Sequence, residues 1–442
     1  MSQIFRSPRA RTAACALFAG ATLFAACGDS PKADAGAPYA ELVAEVVPKI
    51  ESEMGMPFKT PPRLETRSRD EVATFVRKQL ESERGRTQVA GQEAVYKLLG
   101  LVPDTMNLGG LLQRLLEEQI VGYYDPATKV LYVVDGANEV LLKQTVSHEL
   151  VHALQDQYVR IDSIQNAVDD GDRQVAAQAV LEGQAVFMQL RVDPNAGPML
   201  KMPGGWDRIR ESIRDGSVGM PVFASAPRAV REGLLFPYLG GADFVRRFID
   251  VRPEKELLTD LPVSTRQILN DSAYFGGGAA GRDLPVKVTL PEPRAGTVFY
   301  SNTFGEFETR LALVQHLRND ELARRAATGV DGDRYAVLET PQGNALVWAT
   351  VWDSPVDAAD FLDAMGDAAR RRYELAKQDV PAGSTTRRLE VSATPQRAAR
   401  TVTLSLEQVS GKPVVIYMDL PAGMSAPIDP ARITLDSPAS GR

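Results

Sequence analysis

Two histidines four residues apart, with a glutamate directly after the first, set the tightest constraint on this chain: Thr145-Val-Ser-His148-Glu149-Leu-Val-His152-Ala-Leu-Gln-Asp156-Gln-Tyr158. On an α-helix, side chains four apart lie nearly one above the other, so both imidazoles can aim a nitrogen at one metal ion. Glu149 then falls beside that ion, where its carboxylate can hold and deprotonate a bound water. The chain has only three histidines, and chance placement of the pattern comes to roughly one in a thousand. Val146, Leu150, Val151, Ala153 and Leu154 surround the pair, so the helix reads as largely buried, against the alternative of a surface helix with two solvated histidines.

A second segment belongs with the first. From about Gln174 to Arg191 the sequence is helical in pattern and apolar nearly all round, with one carboxylate, Glu182, in its middle. A buried, unpaired carboxylate is costly, so Glu182 needs a cation, a strong set of hydrogen bonds or a proton. A metal ion held by His148 and His152 would serve; pairing with an arginine is the alternative. Ala179, Gly183 and Ala185 are small enough to let the two helices approach closely.

The run from His148 to Asp156, taken with Leu181-Glu182-Gly-Gln-Ala185, resembles the gluzincin (thermolysin-like) group of zinc metallopeptidases over about residues 60 to 250. The resemblance implies that His148, His152 and Glu182 are zinc ligands and that Glu149 is the general base. In that group an acidic residue supports the first histidine; no residue here matches it, and Asp156 is read either as orienting a ligand histidine or as half of a surface ion pair. Tyr238, in Phe-Pro-Tyr-Leu-Gly-Gly, is the candidate phenol for stabilising an oxyanion.

The N-terminus carries Arg6, Arg9 and Arg11, an apolar run from Ala13 to Ala26, and then Cys27-Gly-Asp-Ser, the order of an export signal. The run is short for a bilayer span. Leu23-Phe-Ala-Ala-Cys27 resembles a bacterial lipobox, which implies lipidation at Cys27; ordinary cleavage near Ala33-Asp34-Ala35 is the alternative. With Cys15 in the signal and Cys27 at the cleavage point, the mature body has no thiol, so any metal ligands must be His, Asp or Glu. Removing residues 1–26 takes away three arginines and no acids, moving the formal net charge from −7 to −10 and arguing against a nucleic-acid partner. The expected setting is the bacterial cell envelope, with the protein lipid-anchored to a membrane; the whole layout resembles exported zinc-protease-like lipoproteins of bacteria.

The rest of the chain sorts into segments. Residues 1–26 read as signal peptide, 27–38 as lipidated cysteine and flexible tether, 39–275 as a zinc metallopeptidase-like domain, 286–428 as a C-terminal α+β domain and 429–442 as a disordered tail. The expected fold class is α+β: a mostly helical zincin-like domain with a small antiparallel sheet, followed by a smaller α+β domain. In the first, Pro48 is expected to bend or shorten the opening helix, Arg63 to Arg67 reads as a strand, and helices fit Asp70 to Glu83, Gln92 to Leu99 and Leu108 to Glu118. Gln119 to Val134 reads as a hairpin turning at Asp125-Pro-Ala-Thr, whose edge could bind a substrate backbone, while Met202 to Pro227 reads as loop with short helices. In the second, His316 is expected to pack a helix or face solvent, and Asp331-Gly-Asp333 hints at calcium but reads better as a turn, because position twelve of such a loop would be Gln342. Two functions follow: a membrane-anchored zinc peptidase acting on a peptide or protein substrate, or a non-catalytic lipoprotein that uses a peptidase-like fold as a binding or assembly module.

Overall fold

A computed structural model describes residues 39–161, 170–276, 282–377, 379–381 and 383–437; the export signal, Cys27 and the tether lie outside the described residues. The fold is α+β. The first part runs α1 (Ala40–Met54), β1 (Arg63–Arg67), α2 (Arg69–Leu80), α3 (Glu83–Leu98), α4 (Leu108–Gln119), β2 (Gly122–Asp125), β3 (Val130–Val134), α5 (Glu139–Tyr158), α6 (Gly171–Val192), α7 (Ala196–Leu200), α8 (Gly205–Val218), α9 (Pro221–Ser225), α10 (Arg228–Val251), α11 (Thr265–Leu269) and α12 (Asp271–Phe275). The second runs β4 (Lys287–Thr289), β5 (Thr297–Asn302), α13 (Gly305–Leu317), α14 (Asp320–Ala327), β6 (Val330–Glu339), β7 (Ala345–Trp352), α15 (Pro355–Arg372), β8 (Thr386–Val391), β9 (Arg400–Val409), β10 (Lys412–Pro421) and β11 (Thr434–Asp436).

The hairpin forms as the sequence suggests, β2 pairing antiparallel with β3, and β1 then adds to the far side of β3 in parallel. Its turn is built by Asp125, whose carboxylate accepts from Ala127 N and Thr128 Oγ1, both at 2.9 Å. In the second part, an antiparallel sheet is ordered β5-β6-β7-β10-β9-β8, and its central strands β7 and β10 are buried on both faces. Strict alternation on β7 shows why: Leu346, Trp348 and Trp352 join the core shared with the helices, whereas Ala345, Val347, Ala349 and Val351 face a separate cluster that includes Val286, Val288 and Ile433.

Several expectations are corrected. Helix α1 runs through Pro48 to Met54, so of the two outcomes expected there the proline does not shorten it. Met202 to Pro227 contains α8, an amphipathic helix whose Trp206 and Ile209 are buried. Asp331-Gly-Asp333 lies in strand β6 beside a β-bulge, not in a turn: Asp331 pairs with Lys412 at 2.5 Å, and Asp333 accepts from Phe304 N, Gly305 N and Trp348 Nε1. Residues 429–437, expected as part of the tail, are structured: β11 pairs with β4 and Ile433 is buried against the sheet.

Gly183 serves a different contact from the one expected. It faces α10, not α5: a Cβ on Gly183 would lie 2.0 Å from the Gly241 carbonyl carbon, and one on Gly241 would lie 1.8 Å from the Ala179 oxygen. Two backbones therefore touch where α6 crosses α10, and no side chain fits between them. Gly241→Ala is expected to lower the unfolding free energy by on the order of 3 kcal/mol, read as a shift of the urea midpoint at unchanged slope.

The two parts share one hydrophobic core and are tied by polar contacts at the end of α3. Arg372 Nη2 donates to the Lys97 carbonyl at 3.0 Å and His316 Nε2 lies 2.8 Å from the Leu99 carbonyl, so cations or donors of the second part cap a helix C-terminus of the first. Tyr96 donates to Glu308 at 2.6 Å across the same junction. Burial pushes the Glu308 carboxyl up to about 7, even though the Tyr96 hydrogen bond pulls it down. Because that value lies above the unfolded one of about 4.3, the folded state binds the extra proton. The stability contributed by Glu308 is complete below about pH 4 and is lost as pH rises through about 7. Glu308→Gln keeps the acceptor and removes the charge, so it is expected to be more stable than wild type by about 1–2 kcal/mol at pH 8 and to lose that advantage at pH 4, measured by chemical denaturation at both values.

Candidate metal centre

Helix α5 begins at Asn138, whose side chain caps Val140 N at 3.0 Å, and it then runs into the core. Leu150, Val151 and Leu154 are fully buried and hold it between the hairpin and α6. This packing turns His148 and His152 toward α6, where Glu182 points back from a helix buried along most of its length. His148 Nε2 and His152 Nε2 lie 3.2 Å apart. Glu182 Oε2 is 3.2 Å from the first and 3.4 Å from the second. Three electron-pair donors this close repel one another unless a proton or a cation is shared among them. His148, His152 and Glu182 thus form a cluster that can hold a metal ion. Only the His148 side chain retains appreciable exposure, 12%, so the centre opens to solvent on that side.

Electrostatics reflect the convergence. Burial opposes charge on Glu182, yet His152 and His148 overcome it and hold the carboxyl down to about 2. Burial likewise opposes charge on His152, and the Glu182 carboxylate reverses the balance, pushing the imidazole up to about 9. Each group thus favours the charged form of the other. Glu149 is not one of the three convergent donors. Burial raises its carboxyl, and its Oε2 accepts from the Tyr124 amide of β2 at 2.9 Å, so the edge strand of the hairpin positions it.

The remaining sequence candidates fall as follows. Tyr238, on α10, is half-buried with its ring centroid 6.1 Å from that of His148; burial and the charges of Glu182 and Glu149 hold its hydroxyl protonated. Asp156 does not reach a histidine: it accepts from Tyr124 Oη at 2.8 Å and pairs with Lys129 at 2.6 Å, securing the hairpin to α5. His316 lies on α13, far along the chain from the cluster, and serves the α3 end described above. The residues that support the histidines were missed by the sequence reading. His152 Nδ1 faces Gln155 Oε1 at 2.9 Å, and His148 Nδ1 faces Gln189 Oε1 at 3.2 Å. Gln155 sits at i+3 from His152, a helical neighbour that spacing could have flagged.

Comparison with known proteins adds little to this geometry. Residues 296–418 match a family model described as a domain of unknown function (DUF8575), a stretch that runs from just before β5 into β10 and does not include the His-His-Glu cluster. No curated protein matches the chain. Among solved structures, the chain is similar to a protein of Chloroflexus aurantiacus described as "a putative hydrolase with a novel fold", at 20% identity and a TM-score of 0.32, over 53% of this chain and 86% of that one.

Proposed function

We propose that this protein is a zinc-dependent peptidase that hydrolyses peptide bonds of a peptide or protein substrate, tethered to a membrane of the bacterial envelope by lipid on Cys27. The observation that carries the catalytic reading is the triangle of donors. Zinc bonds of about 2.0–2.1 Å to nitrogen and oxygen place tetrahedral ligands about 3.3–3.4 Å apart, and His148, His152 and Glu182 stand 3.2, 3.2 and 3.4 Å from one another. Two imidazoles and one carboxylate are also a donor set of catalytic zinc sites, which keep a fourth position for water.

When bound, zinc would acidify that water and polarise the scissile carbonyl. The protein's own groups do the rest. Glu149, held through Oε2 by the Tyr124 amide, has Oε1 to accept the proton from the water and then deliver it to the leaving amine. Tyr238, kept protonated with its ring beside that of His148, would be the donor to a developing oxyanion. The tether reading rests on the arginines, the apolar run and Cys27 in series.

Metal analysis of the purified protein combined with a casein or peptide-library assay tests this function. One zinc per chain with chelator-sensitive cleavage supports it; one zinc with no cleavage of any substrate points to the non-catalytic module. Mass spectrometry of the mature N-terminus tests the tether, which an unmodified start beyond Cys27 would refute.

A further inference from the structure

We infer that Gln155 is a positioning residue for the metal centre: a neutral amide strung between the two ligand-bearing helices that keeps the His152 proton on Nδ1, so that Nε2 faces the other donors. This inference rests on the metal-centre reading above. Gln155 has no exposed surface, so its donors and acceptor need partners inside the protein. Its Nε2 lies 3.1 Å from the Leu181 carbonyl and 3.0 Å from Gln184 Oε1. A backbone carbonyl can only accept, which assigns the amide nitrogen to that side and the oxygen to the other. That oxygen is 2.9 Å from His152 Nδ1. An amide oxygen also can only accept, so Nδ1 must carry a proton. The electron pair of the neutral ring is therefore on Nε2, the nitrogen that stands 3.2 Å from His148 Nε2 and 3.4 Å from Glu182 Oε2.

The same chain of hydrogen bonds sets the spacing of the helices. Leu181, whose carbonyl fixes the amide, directly precedes Glu182, so Gln155 ties the backbone beside the third donor to the ring of the second. Asp156, the next residue on α5, is engaged by Tyr124 and Lys129 instead. Orientation thus comes without added negative charge. A carboxylate at position 155 would donate more electron density through the ring and weaken the pull of a cation on its bound water.

The test uses the full mature chain, zinc alone as the probe and competition with a chelator, alongside the thermal midpoint of the metal-free protein. Gln155→Leu removes the acceptor and is expected to weaken zinc binding by about 10- to 100-fold. Gln155→Glu keeps an acceptor for Nδ1–H but loses both donations to α6, so it is expected to lower the midpoint while holding zinc to within about tenfold of wild type or tighter. In zinc-loaded, 15N-labelled wild type, His152 is expected to show its N–H on Nδ1. Equal zinc affinity in wild type and Gln155→Leu would reduce Gln155 to a structural residue and overturn the inference, as would a zinc loss in Gln155→Glu as large as that in Gln155→Leu. If Gln155→Leu does not fold, Gln155→Glu and the NMR signal decide. Wild type that takes up no zinc would refute the metal centre itself, an outcome distinct from zinc binding that is indifferent to position 155.

Discussion

Glu149→Gln is expected to lower peptide hydrolysis by on the order of 10²- to 10⁴-fold, the span attributed to a positioned general base, while zinc content stays at that of the wild type. The substitution keeps an oxygen for the Tyr124 amide, which now donates to Glu149 Oε2 at 2.9 Å, so the side chain has a reason to stay in place. What it removes is the capacity to take a proton. Because Glu149 is not one of the three convergent donors, the metal should be indifferent to the change. Measuring kcat and KM together separates the roles: loss of the base falls on kcat, whereas a residue that only binds substrate would raise KM. A variant that cleaves at near the wild-type rate would eliminate the mechanism.

Glu182→Ala should act on the metal first. It removes one corner of the donor triangle and leaves His148 and His152 Nε2 3.2 Å apart without a carboxylate between α5 and α6. Zinc affinity is expected to fall by more than about tenfold, the lower bound that outer-sphere substitutions already reach, and turnover should vanish with the metal. His316→Ala is the control. Its imidazole is committed to the Leu99 carbonyl at 2.8 Å, so its loss should reduce stability and spare zinc. Zinc lost from His316→Ala and retained by Glu182→Ala would mean that the chain builds its metal site elsewhere. Glu182 also favours the charged form of His152, and the Ala variant leaves Glu149 as the remaining carboxylate acting on that buried imidazole.

Local periodicity made a large share of this protein legible. The i, i+4 spacing of His148 and His152, the apolar residues around them and the lone carboxylate of an otherwise apolar helix are properties of short windows, and α5 and α6 bring those residues together as the sequence implied. The hairpin was equally readable, because Asp125 builds its turn with Ala127 and Thr128, only two and three residues away. Partners distant in the chain were not readable. Gly183 looked like a spacer toward α5 and instead meets Gly241 of α10; Asp156 looked available to a histidine and is spent on Tyr124 and Lys129; Gln155, which no local pattern singled out, joins His152 to Leu181.

The sequence by itself therefore determined which side chains could converge on a metal, since helical spacing dictates which groups share a face. Only the tertiary structure decided what stands behind them. Hydrogen bonds from Gln155 to Leu181, from Tyr124 to Glu149 and from Tyr96 to Glu308 span 26, 25 and 212 positions, and no local pattern encodes a partner at that separation. Such contacts are selected by burial: once the core closes, most polar groups inside it find an acceptor or donor among whatever the packing has brought near.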